Sequence, residues 1–284
     1  MFQRPKQSKV QTMKFRAFPV SRIGFVLCGL LICLATHGLV VAEAPPAAVS
    51  AFKSYIGTVE SRLAQQHRTQ NGFIAPVEIG EEAEMRLRGG ELIIEKQTPS
   101  AGAELSGAML HHWRGTAFAP GAKAADFERL MREFGSYPRY FSPQVLQTKV
   151  LTQRDDHFQT VMRVRQRHVI TVVMDTVYDI NFGRLDAQHG YSVSRSTRVS
   201  EIESPGGSSE RVLSPREEHG FLWCLNTYWS YEERDGGLYM QIESVSLTRS
   251  IPTGLGWAIG PFVESVPRES LEFTLGAVCK VLRR

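Results

Sequence analysis

Four polar residues in segments rich in strand formers carry the side chains best suited to chemistry: Arg195, Asn226, Tyr228 and Glu243. A guanidinium and a carboxylate that face one interior must find partners, because an unpaired buried charge is costly. If these side chains converged in a cavity, they would form the kind of polar cluster that enzymes use for acid–base work. A structural ion pair, or simple exposure of Arg195 and Glu243, explains the same residues without catalysis.

The motifs of common enzymes and cofactor sites are missing from the sequence. The chain has no Gly-x-Ser-x-Gly segment, so the usual esterase arrangement is absent. His111 and His112 are neighbours on a predicted strand, so they point to opposite faces and cannot bind one metal together. The segment 254–260 is one residue too long for a dinucleotide fingerprint, and no βαβ unit follows it. We therefore expect no cofactor and no metal, and the sequence gives no positive sign of an enzyme.

In the predicted strand from Val169 to Phe182, successive side chains point to opposite faces of the sheet. Met174 and Tyr178 lie on the more apolar face, which we take as the interior, so Asp175 and Asp179 lie outside. A polar row on the preceding strand is interpreted as a solvated face. It consists of Gln159, Arg163, Arg165 and Arg167.

The last part of the chain predicts two strands and a closing helix. Residues 221–231 are aromatic and rich in strand formers, residues 234–237 tolerate the positive φ of a tight turn, and residues 238–247 alternate as a second strand. Both faces of this second strand carry large residues, so alternation does not decide which face points inward. Beyond Pro267, apolar residues recur at steps of four, three and four on one helical face, which must lie on a sheet. They are Leu271, Leu275, Val278 and Leu282.

The upstream elements follow from the same patterns. Residues 47–66 predict a helix with one apolar face, and residues 85–94 predict a hairpin that turns at Gly89 and Gly90. A first core strand over 105–118 and a short helix over 124–134 come next. Four further strands at close spacing are typical of an antiparallel sheet. They span 145–153, 157–166, 169–182 and 191–202.

This order of elements and three local patterns resemble the START-like (SRPBCC) superfamily and, within it, a group of exported bacterial proteins. The patterns are Trp113-Arg-Gly-Thr-Ala-Phe-Ala-Pro-Gly121, Phe134-Gly-Ser-Tyr-Pro-Arg-Tyr-Phe141 and Pro267-Arg-Glu-Ser-Leu271. The resemblance covers residues 105–284 and implies an α+β helix-grip fold, in which a curved antiparallel sheet wraps around a long C-terminal helix. Residues 43–104 are then an N-terminal extension of a helix plus a hairpin, packed on the core or used for dimer contact.

The resemblance also implies a cavity between the sheet and the C-terminal helix. We expect it to bind a hydrophobic or amphipathic small molecule, such as a lipid, with residues 252–256 as the adjustable loop at its mouth. A tryptophan in place of Leu275 is then expected to fill the cavity. The candidate lining residues are Trp113, Met174, Tyr178, Arg195, Asn226, Tyr228, Glu243, Trp257, Leu271 and Leu275. Two alternatives stay open, a cyclase- or hydrolase-like enzyme and a structural or interaction protein with a filled interior.

Charge and the N-terminus set the expected partners. The formal net charge is +4, but six basic residues and no acid lie in residues 1–42. The rest carries 27 basic against 29 acidic residues, which argues against a nucleic-acid partner. Transient membrane contact stays open, and the sequence does not indicate the oligomeric state.

The first 42 residues have the three-part pattern of a secretory signal. A basic stretch to Arg22 precedes an apolar run from Ile23 to Ala35, and small residues follow up to Ala42. The alternative is an uncleaved membrane anchor, since residues 23–42 approach the length of about 20 residues that a spanning helix needs. We expect cleavage, and an exported protein that is periplasmic or secreted.

Cys224 and Cys279 are the cysteines that follow residue 42. In an oxidising compartment two cysteines often pair, provided that their Cα atoms approach within about 7 Å. Two buried thiols that act as small apolar residues are the simpler interpretation. We favour that interpretation over a disulfide.

The signal-peptide interpretation predicts that the mature chain begins near Glu43, because the small residues before it suit a signal peptidase. N-terminal sequencing of protein purified from its own host measures this directly. Retention of Met1 or Met13 in the purified protein would contradict cleavage and favour the anchor.

Overall fold

An antiparallel sheet organises the chain in the computed structural model, which describes residues 43–77, 80–99, 104–105, 107–167, 171–251 and 256–283. The predicted signal segment lies outside these residues. No helix among the described residues is long and apolar enough to cross a membrane.

Ten strands within the described residues form the curved sheet, in the order β1-β3-β10-β9-β7-β6-β5-β4, with the short strands β2 on β3 and β8 on β7. All pairs are antiparallel. The first long strand therefore pairs with the last, across a large separation in sequence. The strands are β1 (Ile93–Lys96), β2 (Glu104–Leu105), β3 (Ala108–Pro120), β4 (Val145–Arg154), β5 (His157–Arg167), β6 (Thr171–Arg184), β7 (His189–Glu203), β8 (Arg211–Val212), β9 (Cys224–Arg234) and β10 (Gly237–Arg249).

Helices cover both faces of this sheet. The helices are α1 (Pro46–Gln66), α2 (Gly80–Arg88), α3 (Ala124–Arg132), α4 (Tyr137–Tyr140) and α5 (Gly256–Leu282). Helices α1 and α2 lie on one face, here called the outer face, and α3, α4 and α5 lie on the opposite, inner face. The predicted α+β architecture, with its N-terminal helix packed on the core, is confirmed.

The outer face is closed by the apolar stripe of α1. Its buried residues recur at steps of four, three and four and pack on Tyr228, Val245 and Leu247 of the last two strands. Pro46 begins the helix, where its missing N–H would have no helical partner anyway. The stripe consists of Phe52, Ile56, Val59 and Leu63.

The inner face is closed by α5, which crosses β3 at a glycine. A side chain at Gly115 would place its Cβ 2.7 Å from Cδ1 of Leu275 and 2.9 Å from Cδ1 of Ile94. Leu275 is fully buried there. The absence of a side chain on Gly115 thus lets the helix approach the sheet.

Strand β10 is buried on both faces, which explains why its sequence was ambiguous. Leu238, Met240 and Ile242 belong to the inner core. Tyr239 and Val245 face the helices of the outer face instead. Alternation of apolar and polar residues is lost when both sides of a strand are covered.

The predicted hairpin over 85–94 is wrong, because residues 80–88 form α2. Ala83 and Leu87, four residues apart, are buried against the sheet, and acidic residues begin the helix while arginines end it, as the helix dipole favours. Gly89 and Gly90 end this helix, and Gly90 has a φ of 91°. The same glycine pair that suggested a hairpin turn is a helix C-terminus.

Helix α5 begins earlier than the sequence predicted. It starts at Gly256 and continues through Pro267, where the sequence placed its beginning. A proline fixes φ near the helical value and removes one hydrogen bond, so it marks the start of a helix more often than its interior. Residues 252–255 lie outside the described residues, and side chains of α5 are described from Ser265 onward.

Cys224 and Cys279 are free thiols on opposite faces of the sheet. Cys224 borders the outer core under α1, and Cys279 is buried in the inner core on α5. The interpretation of two separate thiols is confirmed, because the sheet lies between them.

The close approach at Gly115 predicts that Gly115→Val destabilises the protein by about 1–3 kcal/mol, since the added atoms overpack the contact with Leu275. Chemical denaturation monitored by circular dichroism measures the change. Gly276→Ala is the matched control, because a Cβ at this exposed position of α5 meets nothing within 4 Å and alanine favours a helix. A Gly115→Val protein as stable as wild type would contradict the packing described here.

Candidate functional site

The predicted cavity residues divide between the two faces of the sheet. The inner group lies on the α5 side and consists of Trp113, Met174, Tyr178, Leu271 and Leu275. The outer group lies on the α1 side and consists of Arg195, Asn226, Tyr228 and Glu243. The prediction that the outer group lines a space beside the C-terminal helix is therefore wrong. The side chain of Trp257 lies outside the described residues.

Glu243 is the centre of a buried polar network between α1 and the outer face, and its side chain is 2% exposed. Its Oε2 accepts a hydrogen bond of 2.5 Å from Nη2 of Arg62 on α1 and lies 2.9 Å from Nε2 of His112 on β3. Nε of Arg114 lies 3.5 Å from the other carboxylate oxygen. Nδ1 of His112 lies 2.8 Å from the Tyr55 hydroxyl. We call Tyr55, Arg62, His112 and Glu243 the outer-face network.

The protonation of this network follows from its geometry. Burial opposes the charge of Glu243, but hydrogen bonds from His112 and Arg62 outweigh it and lower the pKa of Glu243 to about 2. A carboxylate only accepts hydrogen bonds, so Nε2 of His112 donates to it. The other ring nitrogen, Nδ1, makes its hydrogen bond with the Tyr55 hydroxyl.

A tyrosine, a histidine and a carboxylate in line resemble the relay of a nucleophilic enzyme, but the electrostatics oppose that role. Burial, followed by the charge of Glu243, raises the pKa of Tyr55 above its ordinary value. An activated nucleophile needs the opposite shift. The network therefore holds Tyr55 as a neutral phenol and attaches α1 to the sheet.

A second polar contact is made by Glu60, which lies between Tyr55 and Arg62 on α1. Glu60 accepts two hydrogen bonds from Arg195 on β7, of 2.7 and 2.9 Å, and one of 3.1 Å from the hydroxyl of Tyr228. Asn226 donates to the same hydroxyl at 3.1 Å. Arg195 thus forms the structural ion pair weighed from the sequence, but its partner is Glu60 rather than Glu243.

A third contact fixes the end of α1 through His67. Its Nε2 lies 2.7 Å from the Ser230 hydroxyl, and its ring stacks on Tyr191 at a centroid distance of 4.4 Å. Burial, as the largest cause, lowers the pKa of His67 to about 4, so this histidine is neutral near pH 7. All three contacts serve to hold the N-terminal helix on the sheet.

Sequence reasoning missed Tyr55, Arg62 and His112 as partners of Glu243. The requirement itself was visible, because a buried glutamate must be paired. The partners come from α1 and β3, which lie more than a hundred residues away in sequence. Only the pairing of β3 with β10 brings His112 beside Glu243.

Some polar side chains on the inner face have buried atoms without a hydrogen-bond partner in the residues that the structure describes. Nε1 of Trp113 and the hydroxyls of Thr148 and Thr160 are buried and have no hydrogen-bond partner among the described residues. Thr160 is fully buried and pairs in register with Val150 and Tyr178. A buried polar group without a partner costs about 1–3 kcal/mol, so three of them on one face require an explanation.

These side chains flank the region where α5 passes from β3 toward β5. Its later part packs on β3 through Leu275, whereas Ser270 reaches β5, where its hydroxyl accepts a hydrogen bond of 2.9 Å from Gln166. Tyr178, whose pKa burial raises to about 12, lies on the same inner face. The inner face is thus densely apolar on one side and mixed apolar and polar on the other.

Two surface grooves of about 440 and 480 Å³ are lined by described residues. The first lies between β1 and Arg268 of α5, and the second between α3 and Arg184. Charged residues line most of both grooves, and neither lies between the sheet and the later part of α5. In that space the described side chains form the packed inner core.

No group of three histidine, cysteine or carboxylate side chains is placed to hold a metal ion in the described part of the chain. His111 and His112 point to opposite faces, as their adjacency predicted, since His112 binds Glu243 on the outer face and His111 contacts Thr248.

The low pKa of Glu243 predicts acid-dependent stability. Because the folded pKa of about 2 lies below the ordinary 4.5, the unfolded chain takes up the proton first as the pH falls. Stability is therefore lost between about pH 4.5 and pH 2, and the shift corresponds to about 3 kcal/mol. Glu243→Gln should lose a similar amount at pH 7 and show a flatter acid limb in urea denaturation measured against pH.

Glu82→Gln is the control for this measurement, because Glu82 is exposed on α2. Because Glu82 lies in the first turn of α2, its replacement should cost no more than the about 0.3–1 kcal/mol of a helix-dipole contact and leave the acid limb close to that of wild type. An acid limb in Glu243→Gln identical to that of wild type would show that Glu243 does not carry the charge described here.

Comparison with known proteins gave matches of low sequence identity among solved structures. No protein-family model and no curated protein matches the sequence. A fragment of a STAR-related lipid transfer protein from Xanthomonas axonopodis is 16% identical with a TM-score of 0.43, over 67% of this chain and 99% of that one. Human STARD10 is 9% identical with a TM-score of 0.44, over 73% of this chain and 81% of that one.

The Zhui aromatase/cyclase from Streptomyces sp. R1128 is 13% identical with a TM-score of 0.41, and the match covers 62% of this chain and 94% of that one. Identities of this size assign neither a ligand nor an activity. What this chain has, by its own sheet order and closing helix, is the helix-grip architecture that the sequence predicted for a START-like protein.

Proposed function

We propose that this protein binds a hydrophobic or amphipathic small molecule, such as a lipid, on the inner face of the sheet. The observation that carries the proposal is the pair of buried hydroxyls of Thr148 and Thr160, on the neighbouring strands β4 and β5, which have no hydrogen-bond partner among the described residues. A ligand with an apolar body and a hydroxyl or carbonyl group would satisfy such atoms while it contacts Met162 and Tyr178. Sites of this composition, apolar with a few placed polar groups, are typical of small-molecule binding.

The proposed location is the region between β4–β6 and the part of α5 that precedes Leu271. Leu271 and Leu275 belong to the packed core rather than to an open wall. Leu275→Trp, expected from the sequence to fill a cavity, would instead collide with Gly115. Binding is therefore tested on the polar side of the inner face.

Two other proposals have different support. A cyclase- or hydrolase-like enzyme required Arg195, Asn226 and Glu243 to converge beside the C-terminal helix, and their place under α1 removes that support. A structural or interaction protein is supported by the packed inner core. Native mass spectrometry of protein from its own host separates it from the binding proposal, because a filled interior retains no ligand.

We also propose that the protein acts outside the cytoplasm. The support is the basic stretch and apolar run of residues 1–42.

The binding proposal predicts opposite effects of Thr160→Val on stability and affinity. Removing a buried hydroxyl that has no partner should leave stability unchanged or raise it by about 1 kcal/mol. If that hydroxyl binds the ligand, affinity for a fluorescent fatty-acid probe should fall about fivefold. Fluorescence titration and urea denaturation of the same samples measure the two quantities.

Thr197→Val is the matched control, because Thr197 is an exposed threonine of β7 whose hydroxyl binds the carbonyl of Val177. It should not change affinity for the probe. Equal affinity of Thr160→Val and wild type would remove the polar site from the proposal. A wild-type protein that binds no probe and retains no ligand in native mass spectrometry would favour the filled interior.

A further inference from the structure

Exposed apolar residues concentrate on the edge strand β4. Leu146, Val150 and Leu151 are 38%, 38% and 44% exposed. They are three of the seven large hydrophobic side chains that are exposed among the described residues, and no other strand contributes more than one. Strand β4 ends the sheet, so one side of its backbone faces away from the other strands.

Basic residues accompany this apolar edge. Residues 145–167, which form β4 and β5, contain five basic and two acidic residues, although residues 43–284 as a whole are net acidic. Arg163 is paired with Asp175 and Glu210. Lys149, Arg154 and Arg167 form no ion pair within the described part of the chain and are exposed. Local positive charge is thus available to an outside partner.

The shape of β4 disfavours pairing with another strand. Its register with β5 shifts between Val145 and Gln147 and again between Val150 and Thr152, so Leu146 and Leu151 lie at two irregularities. Bulges and an edge lysine are devices that prevent strand addition. A second copy of this chain, or an extended peptide, is therefore a poor fit to the edge.

Exposed apolar side chains next to these basic residues are complementary to a partner whose interior is apolar and whose surface is negatively charged. Exposed apolar side chains enter the boundary between lipid headgroups and acyl chains, while lysine and arginine attract anionic headgroups. Val150 also lies opposite the buried Thr160 on the inner face. The edge thus borders the inner face on this side of the sheet.

We propose that β4, with the basic residues around it, docks edgewise on an anionic lipid bilayer. Leu146, Val150 and Leu151 enter the headgroup boundary, and Lys149 and Arg154 bind anionic headgroups. This contact is reversible, because a few exposed side chains anchor a protein far less strongly than a spanning helix. The inference does not depend on the proposed ligand, since vesicle binding is measured without one.

Sedimentation of the full-length protein with vesicles tests the proposal. Wild type should bind vesicles of phosphatidylserine and phosphatidylcholine more tightly than vesicles of phosphatidylcholine alone, and salt should weaken the difference. Lys149→Gln combined with Arg154→Gln should weaken binding to the anionic vesicles about 25-fold, at about fivefold for each basic residue. Val150→Ser combined with Leu151→Ser should weaken it as well.

Lys53→Gln combined with Arg68→Gln is the matched control, because it removes two exposed charges on the α1 side. All variants keep the same N-terminus, so any binding by residues 1–42 is common to them. Equal binding of the β4 variants and wild type would overturn the proposal. A wild-type dimer in sedimentation equilibrium that the β4 substitutions dissociate would also overturn it, since a second copy would then cover this edge.

Discussion

The arrangement of the N-terminal half depends on the hydrogen bonds of the Glu243 carboxylate, which lies under α1. This charge lies on the central strand β10, where water cannot reach it. A buried charge is tolerated only with close partners, and Arg62 of α1 and His112 of β3 supply them. Removal of α1 would expose the apolar stripe that starts at Phe52 and leave Glu243 without its arginine. The extension is therefore part of the folded core rather than an appendage.

The outer-face network also shows that a line of Tyr55, His112 and Glu243 is not by itself a sign of catalysis. The same residue types serve catalysis where the terminal group loses its proton easily. Here burial raises the pKa of Tyr55, and the carboxylate keeps its charge through Arg62 and His112. Strong hydrogen bonds in a low-dielectric site stabilise the folded chain.

The inner face has two sides with different physical character. Near β3, Leu275 packs against Gly115, and the close contact leaves no space for another molecule. Toward β4 and β5, Thr148 and Thr160 place polar atoms among apolar side chains without partners. Because the second side combines these hydroxyls with apolar neighbours, the binding proposal concerns that side rather than the packed contact. The exposed edge at Val150 borders the same side.

Local patterns in the sequence determined the elements, because helix and strand periods depend on residues that are close along the chain. The apolar steps from Phe52 to Leu63 and from Leu271 to Val278 predicted faces that are indeed buried. The turn between β9 and β10 followed from Asp235 and Gly236, which both have positive φ. Local signals failed at Gly89 and Gly90, since such a pair ends a helix as readily as it turns a hairpin.

Only the tertiary structure decided which face of each strand meets which helix, and therefore where the candidate site residues lie. The sequence grouped Arg195, Asn226 and Glu243 beside the C-terminal helix, and the structure places them under α1. Strand β10 is covered on both sides, so its alternation carried no information about direction. The partners of Glu243 come from segments distant in sequence, and their contact exists only after β3 pairs with β10. Pairing over such separations is set by the packing of the whole sheet, which no local pattern encodes.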